Sequence, residues 1–120
     1  MTADFTIYAG EDWPQTFQYV DASNNGINIS TASEILFVAD NGTTQIKKSK
    51  SVGGVSFKTD GTDGAFTVDV ASTNTTGMGG KTFQYEIKLT ISAEARVIYP
   101  APGATATFDI DTSLTDGVTP

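Results

Sequence analysis

The chain has no cysteine and no histidine. Without cysteine there is no disulfide, no thiolate metal site and no thiol nucleophile. Without histidine the commonest general base and the commonest transition-metal ligand are gone. Positive charge is scarce too: 7 Lys and Arg stand against 14 Asp and Glu, a net charge of −7. Residues 1–40 hold six acids and no Lys or Arg. Such a chain repels phosphate backbones, so nucleic acid is not an expected partner. Long apolar runs are missing as well. The longest, Ile35 to Ala39, is far too short to span a bilayer, so a membrane is not an expected partner either. Met1-Thr2-Ala3-Asp4 has neither the basic nor the apolar region of a signal peptide.

What is abundant is Thr (19), Gly (12) and Ser (9), a mixture that suits short strands joined by many turns. The strongest pattern lies late in the chain. Phe83, Tyr85, Ile87, Leu89 and Ile91 alternate with Thr82, Gln84, Glu86, Lys88 and Thr90. A period of two over this length predicts one long central strand with a buried face and a wet face. Earlier segments follow the same logic. Strands are expected over Asp4–Ala9, Gln15–Val20, Glu34–Asp40, Thr43–Ser51, Val55–Phe57 and Ala65–Ala71. Glu11 to Pro14, Asn25-Gly26, Asn41-Gly42 and Asp60 to Gly64 are turn signals, and Pro14 marks a strand start or a sheet edge. A single helical turn is expected around Thr75–Met78. Arg96–Tyr99 begins a last strand, which breaks at Pro100-Ala101-Pro102-Gly103 and resumes from Ala104 to Ile110.

Seven to nine short strands with no convincing helix predict an all-β fold, two antiparallel sheets burying their apolar faces on each other. The sandwich spans residues 1–110, and residues 111–120 read as a polar, mobile tail. Tyr85 stands where an immunoglobulin-like sandwich has its tyrosine corner, or is an ordinary inward aromatic.

Few residues suggest chemistry. Ser49, Lys50 and Ser51 offer a Ser–Lys pairing on paper, and exposed Ser beside Lys is common. The glycines before Lys81 lead into a strand and not a helix, so they form no phosphate cradle. Asp60 and Asp63 share a loop that is either a hard-oxygen calcium site or an Asp-Gly turn; it lacks a closing Glu. No cofactor, no metal and no catalytic residue is expected. Trp13, the only tryptophan, either caps the core or joins Tyr8, Tyr19 and Tyr99 in a sugar-stacking platform. Lys47, Lys48 and Lys50 either guard a strand edge or touch an acidic neighbour. Trp13, Lys47, Lys48 and Lys50 are therefore the candidate partner contacts.

Phe5-Thr6-Ile7-x-x-Gly10-x-Asp12-Trp13 opens the chain, and Gly26-Ile27-Asn28-Ile29-Ser30-Thr31-Ala32 precedes the strand Ile35 to Ala39. The segment Gly80 to Leu89 follows around Tyr85, then Val97-Ile98-Tyr99 and Ala106-Thr107-Phe108-Asp109-Ile110. Over residues 4–110 this series resembles the immunoglobulin-like N-terminal domain of phage baseplate upper proteins and related tailed-phage structural proteins. The Pro100-Ala101-Pro102-Gly103 break departs from that pattern. The resemblance implies a non-enzymatic virion structural protein of a tail, baseplate or capsid, with a part in host attachment. It would be made in a bacterial cytoplasm and would assemble with other virion proteins and copies of itself as a homo-oligomer. The alternative is a carbohydrate-binding module for host-surface glycans.

Overall fold

The structure is a computed structural model that describes residues 5–100, 103–116 and 118. Asp4 of the expected first strand and Ala101 and Pro102 of the expected break lie outside the described residues. Nine strands and one helical turn follow in order: β1 (Phe5–Tyr8), β2 (Trp13–Gln18), β3 (Glu34–Asp40), β4 (Gln45–Ser49), β5 (Val55–Phe57), β6 (Ala65–Val70), α1 (Ser72–Thr75), β7 (Thr82–Ile91), β8 (Glu94–Tyr99) and β9 (Ala106–Asp111). They form two sheets packed as a sandwich. The larger runs β1-β9-β7-β3-β4 with β8 also on β7; the smaller runs β2-β6-β5. In immunoglobulin terms β2, β6 and β5 hold the B, E and D positions. Strands β8 and β9, β7, β3 and β4 hold G, F, C and C′. All pairs are antiparallel except β1 on β9, which is parallel.

The long alternating strand takes its central place. Along one side β7 pairs with β3, from Glu34 opposite Thr90 to Asp40 opposite Gln84. Along the other side it pairs with β9 at Thr82–Tyr85 and with β8 at Ile87–Ile91. Two short strands thus share one edge of β7. Inward residues fill the space between sheets: Phe37, Phe66, Phe83, Phe108, Ile35, Ile87, Val68 and Val70 are all buried. Phe108 stacks on Phe5 at 4.9 Å and on Phe83 at 5.3 Å between ring centroids. Tyr85 is an inward ring in the same cluster, 5.5 Å from Phe37 and 5.7 Å from Phe108.

Three local expectations need correcting. Strand β2 starts at Trp13, two residues before the expected Gln15, and Val20 makes only an isolated bridge to Gly26. Pro14 is tolerated inside it because β2 is an edge strand with one side free of a ladder. The helical turn falls at Ser72–Thr75, earlier than Thr75–Met78. Asp12 Oδ1 accepts the Ser72 N–H at 2.7 Å and Asn74 Oδ1 accepts the Ala71 N–H at 2.9 Å, which fixes the turn's start. Gly77, at φ +79°, then ends it. Finally, the left-handed residue near Asn25-Gly26 is Asn24, at φ 69°. Asp21 Oδ1 accepts the N–H groups of Ser23 and Asn25 and closes that turn.

Beyond β9, Asp116 lies against Gly10 and Gly77, while Leu114 and Val118 are exposed. Asp116 Oδ2 accepts the Gly77 N–H at 2.8 Å. Its Oδ1 is buried beside Gly10 and takes no hydrogen bond among the described residues.

Candidate functional site

The four candidate contacts do not converge. Trp13 opens β2, opposite Val70, and is partly buried against the core. Its indole N–H donates to Gln15 Oε1 at 2.8 Å. Lys47 and Lys48 lie on β4, the outer strand of the larger sheet. Lys47 is exposed, whereas the stem of Lys48 lies over Gly54. Lys50 Nζ sits 5.5 Å above the Phe57 ring. Strand order puts β4 beside β5 and puts β2 on the opposite side of the sandwich, so Trp13 and the lysines face different ways.

The lysines do what an edge requires. A strand with one free row of N–H and C=O groups recruits stray strands unless charge blocks it. Lys47 on the outer face and Lys48 on the inner side serve β4 in that way.

The aromatic platform does not assemble around Trp13. Trp13 and Phe17 are four residues apart on β2, about 13 Å at strand spacing. Tyr99 lies at the Phe17 end, with ring centroids 6.2 Å apart. Trp13 and Tyr99 therefore sit at opposite ends of the strand.

Other polar groups serve the fold. Asp60 Oδ1 accepts from Thr62 Oγ1 at 2.6 Å and Thr62 N at 3.0 Å, and these bonds hold its carboxyl below the usual range. Asp63 Oδ1 accepts the Ala65 N–H at 3.0 Å. Both carboxylates turn toward their own backbone. Among the described residues no three His, Cys, Asp or Glu gather as metal ligands. Ser49 Oγ accepts the Val52 N–H at 3.1 Å. Partial burial pushes the Glu34 carboxyl up, but hydrogen bonds from Ser51 Oγ, Ser51 N and Ile35 N outweigh it and leave the group lowered.

What sequence reasoning missed is the side between β2 and β8. Strand β8 pairs with β7 along one edge, and among the described residues no strand covers its other edge. Five of its six residues are exposed, with Val97 at 45% and Tyr99 at 38%. Between β8 and β2 lies a mostly apolar cavity of about 90 Å³, lined by Phe17, Gln18, Tyr19, Phe66, Ile87, Ile98 and Tyr99. A second, of about 180 Å³, lies past Tyr19 among Ile27, Ile29, Leu89 and Ile91, with Glu94 and Arg96 on its wall. The two charges on β8, Glu94 and Arg96, bond each other at 3.1 Å. The sequence signal was the weak polarity of Val97-Ile98-Tyr99, which periodicity alone assigns to a face and not to an edge.

No protein-family model matches this sequence, and no curated protein matches it at a significant level.

Proposed function

We propose that the chain is a non-enzymatic assembly module, an immunoglobulin-like sandwich that binds other proteins and copies of itself through a strand edge. The observation that carries this reading is the exposed strand β8, whose outer edge no described strand covers and which adjoins a mostly apolar cavity. An edge of this kind binds by adding a strand, with main-chain bonds for affinity and side-chain pockets for specificity. The polar groups that first suggested chemistry are spent on turns, which leaves surface binding as the better use of the scaffold. The sequence resemblance supports a setting on a tailed-phage particle, as a tail, baseplate or capsid component made in the host cytoplasm.

Quantitative peptide mass spectrometry on purified particles, set against unassembled lysate, tests this. The expected result is co-purification at a fixed integral copy number; absence from particles overturns the virion reading. Trp13→Ala separates it from glycan recognition. The expected variant is less stable, because a ring packed on the core is lost. A folded Trp13→Ala protein that has lost binding on a glycan array would favour the carbohydrate-binding alternative.

A further inference from the structure

We infer that the loop Lys50–Gly54 is a docking knob: Val52 enters an apolar pocket on another protein, and the lysines around it meet carboxylates on that pocket's rim. This surface is separate from β8, and the inference rests on the assembly reading only in taking the partner to be a protein.

Val52 lies between β4 and β5 with 91% of its surface exposed. One exposed valine is common on a protein surface. What sets this one apart is the loop that carries it, which is tied down on both sides. Ser49 and Gly53 exchange main-chain bonds, N–H to O at 3.0 and 2.8 Å. Inside that closure the Val52 N–H donates to the buried Ser49 Oγ at 3.1 Å. The Ser51 N–H donates to Glu34 Oε1 at 3.1 Å, and Ser51 Oγ donates to Glu34 Oε2. The Lys50 N–H donates to Ile35 O at 3.0 Å and the Asp69 N–H to Gly54 O at 2.8 Å, so β3 and β6 clamp the two ends. Gly53 and Gly54, at φ 138° and 93°, turn the chain back. A buried serine and a half-buried carboxylate thus hold outward a side chain that adds nothing to the core. A tip already ordered in this way loses little freedom on binding.

The surroundings of the tip are basic. Residues 47–58 hold four of the seven basic residues and no acid. Lys50 stands two residues before Val52, with its Nζ 5.5 Å above the Phe57 ring. Lys48 lies against Gly54, two residues after Val52. Lys58 follows Phe57 and is exposed, and Lys47 is exposed on the outer face of β4. None of these four is ion-paired; among the described residues the ion pair is Glu94–Arg96. The nearby carboxylates of Glu34 and Asp60 face Ser51 and Thr62 instead. An apolar centre inside a charged rim has the layout of a protein–protein contact.

Charge then selects the partner. Outside residues 47–58 the chain carries 14 acids and 3 basic residues (7 minus 4). A nucleic acid or an anionic membrane meets that surplus as repulsion, and one valine is a small anchor for a bilayer. A second copy does not match either: its apolar cavity of about 180 Å³ carries Arg96 beside Glu94. A foreign protein with Asp or Glu at the mouth of an apolar pocket fits both the tip and its rim.

A photo-crosslinking residue, benzoylphenylalanine, placed at Val52 of the full chain reads the contact. The same residue at Ala22, exposed in the β2–β3 connection, reads random collision. Both proteins are produced in cells that assemble the particle, irradiated, and their adducts mapped by mass spectrometry. The expected result is an adduct of Val52 with a protein other than this chain, at apolar residues flanked by Asp or Glu. Its yield should exceed that from Ala22 at least about tenfold. Lys50→Glu with Lys58→Glu should cut it about tenfold or more, with Tm within about 2 °C of the parent. Equal yields at the two positions, adducts with a second copy, a crosslinked site without Asp or Glu, or a yield unchanged by the double reversal overturn the inference. So does binding of the purified chain to phosphatidylcholine–phosphatidylglycerol vesicles that Val52→Asp abolishes, which makes the loop a membrane contact. A chain that co-purifies with particles yet gives no Val52 adduct leaves the assembly reading standing. An acid-rimmed Val52 adduct from a chain absent from particles overturns the virion setting and leaves the inference.

Discussion

Gly26→Ala isolates the role of a glycine that looks, in sequence, like half of an Asn-Gly turn. Its φ is not left-handed; Asn24 takes that conformation instead. Gly26 lies where the β2–β3 connection meets the β5–β6 turn. A Cβ there would stand 2.0 Å from Asp63 O and 2.8 Å from Asp63 C. Ordinary contact begins at 3.4 Å, so the two connections must part by about 1.4 Å (3.4 minus 2.0). That movement loosens Gln18 Nε2 to Asp63 O, Tyr19 N to Gly64 O and Ile29 N to Gly61 O, at 2.9, 2.9 and 2.8 Å. Overpacking costs about 1–3 kcal/mol, and each weakened bond up to about 0.5–1.5 kcal/mol. Alanine returns about 0.4–1 kcal/mol through a less free unfolded chain. The expected net loss is about 3 kcal/mol, a large part of the roughly 5–15 kcal/mol typical of a domain. Urea denaturation measures it, read from the midpoint at unchanged m. Gly26→Asn is the discriminating partner, since a left-handed turn tolerates Asn and a close approach does not. Asn should cost as much as Ala; a loss below about 1 kcal/mol for both refutes the argument.

Phe108→Ala removes a fully buried ring and its two stacked neighbours, Phe5 and Phe83. Truncation costs about 3–5 kcal/mol, and the ring pairs put this case at the upper end; a denaturant midpoint implying less than about 2 kcal/mol would contradict it. Ser92 and Ala93 occupy a two-residue hairpin loop with positive φ at both positions, the geometry that favours Asn-Gly. Ser92→Asn with Ala93→Gly should add about 1 kcal/mol, a rise of about 4 °C in Tm by calorimetry; an unchanged or lower Tm would count against the turn assignment. Glu34 has a carboxyl pKa lowered by its hydrogen bonds, so it stabilises the fold above the ordinary value of 4.5. That contribution is lost as pH falls through the lower folded value. Stability measured against pH should flatten in this acid window for Glu34→Gln, and an unchanged slope would show that Ser51 does not hold the carboxylate in solution.

The elements legible in the sequence are those whose two faces differ. Strand β7 runs Thr82–Ile91, as its alternation and the glycines before it indicated, and β3 runs Glu34–Asp40, as its short apolar run ending at Asn41-Gly42 indicated. Strand β6 keeps Phe66, Val68 and Val70 inward and stops one residue short of the expected Ala71. The misplacements have tertiary causes. Pro14 reads as a boundary until its strand is known to be an edge, and the helical turn moves because Asp12, 60 residues away, caps it. Gly26 is constrained by Asp63, which no local pattern connects to it. At the candidate site, the structure places Lys47 and Lys48 on the outer strand β4 and packs Trp13 partly buried against the core.

The β8 edge was not legible, for a reason that applies to any sandwich. Periodicity tells which face a side chain takes; it does not tell how many neighbours a strand has. Residues 96–110 read as one strand with a break in it, yet the two halves, β8 and β9, meet different fates. Among the described residues, strand β1 pairs with β9 from Phe5 opposite Phe108 to Tyr8 opposite Asp111. It covers one half of the divided strand, and no described strand covers the other, on the side where β2 is also an edge. The core is buried without that side being closed: Phe83, Phe108, Ile35 and Ile87, inward between the two sheets, are all at most 1% exposed. Strand addition at β8 therefore competes with no contact that folding needs. A fold that is complete without an edge can leave that edge to binding, and here its two charges already neutralise each other.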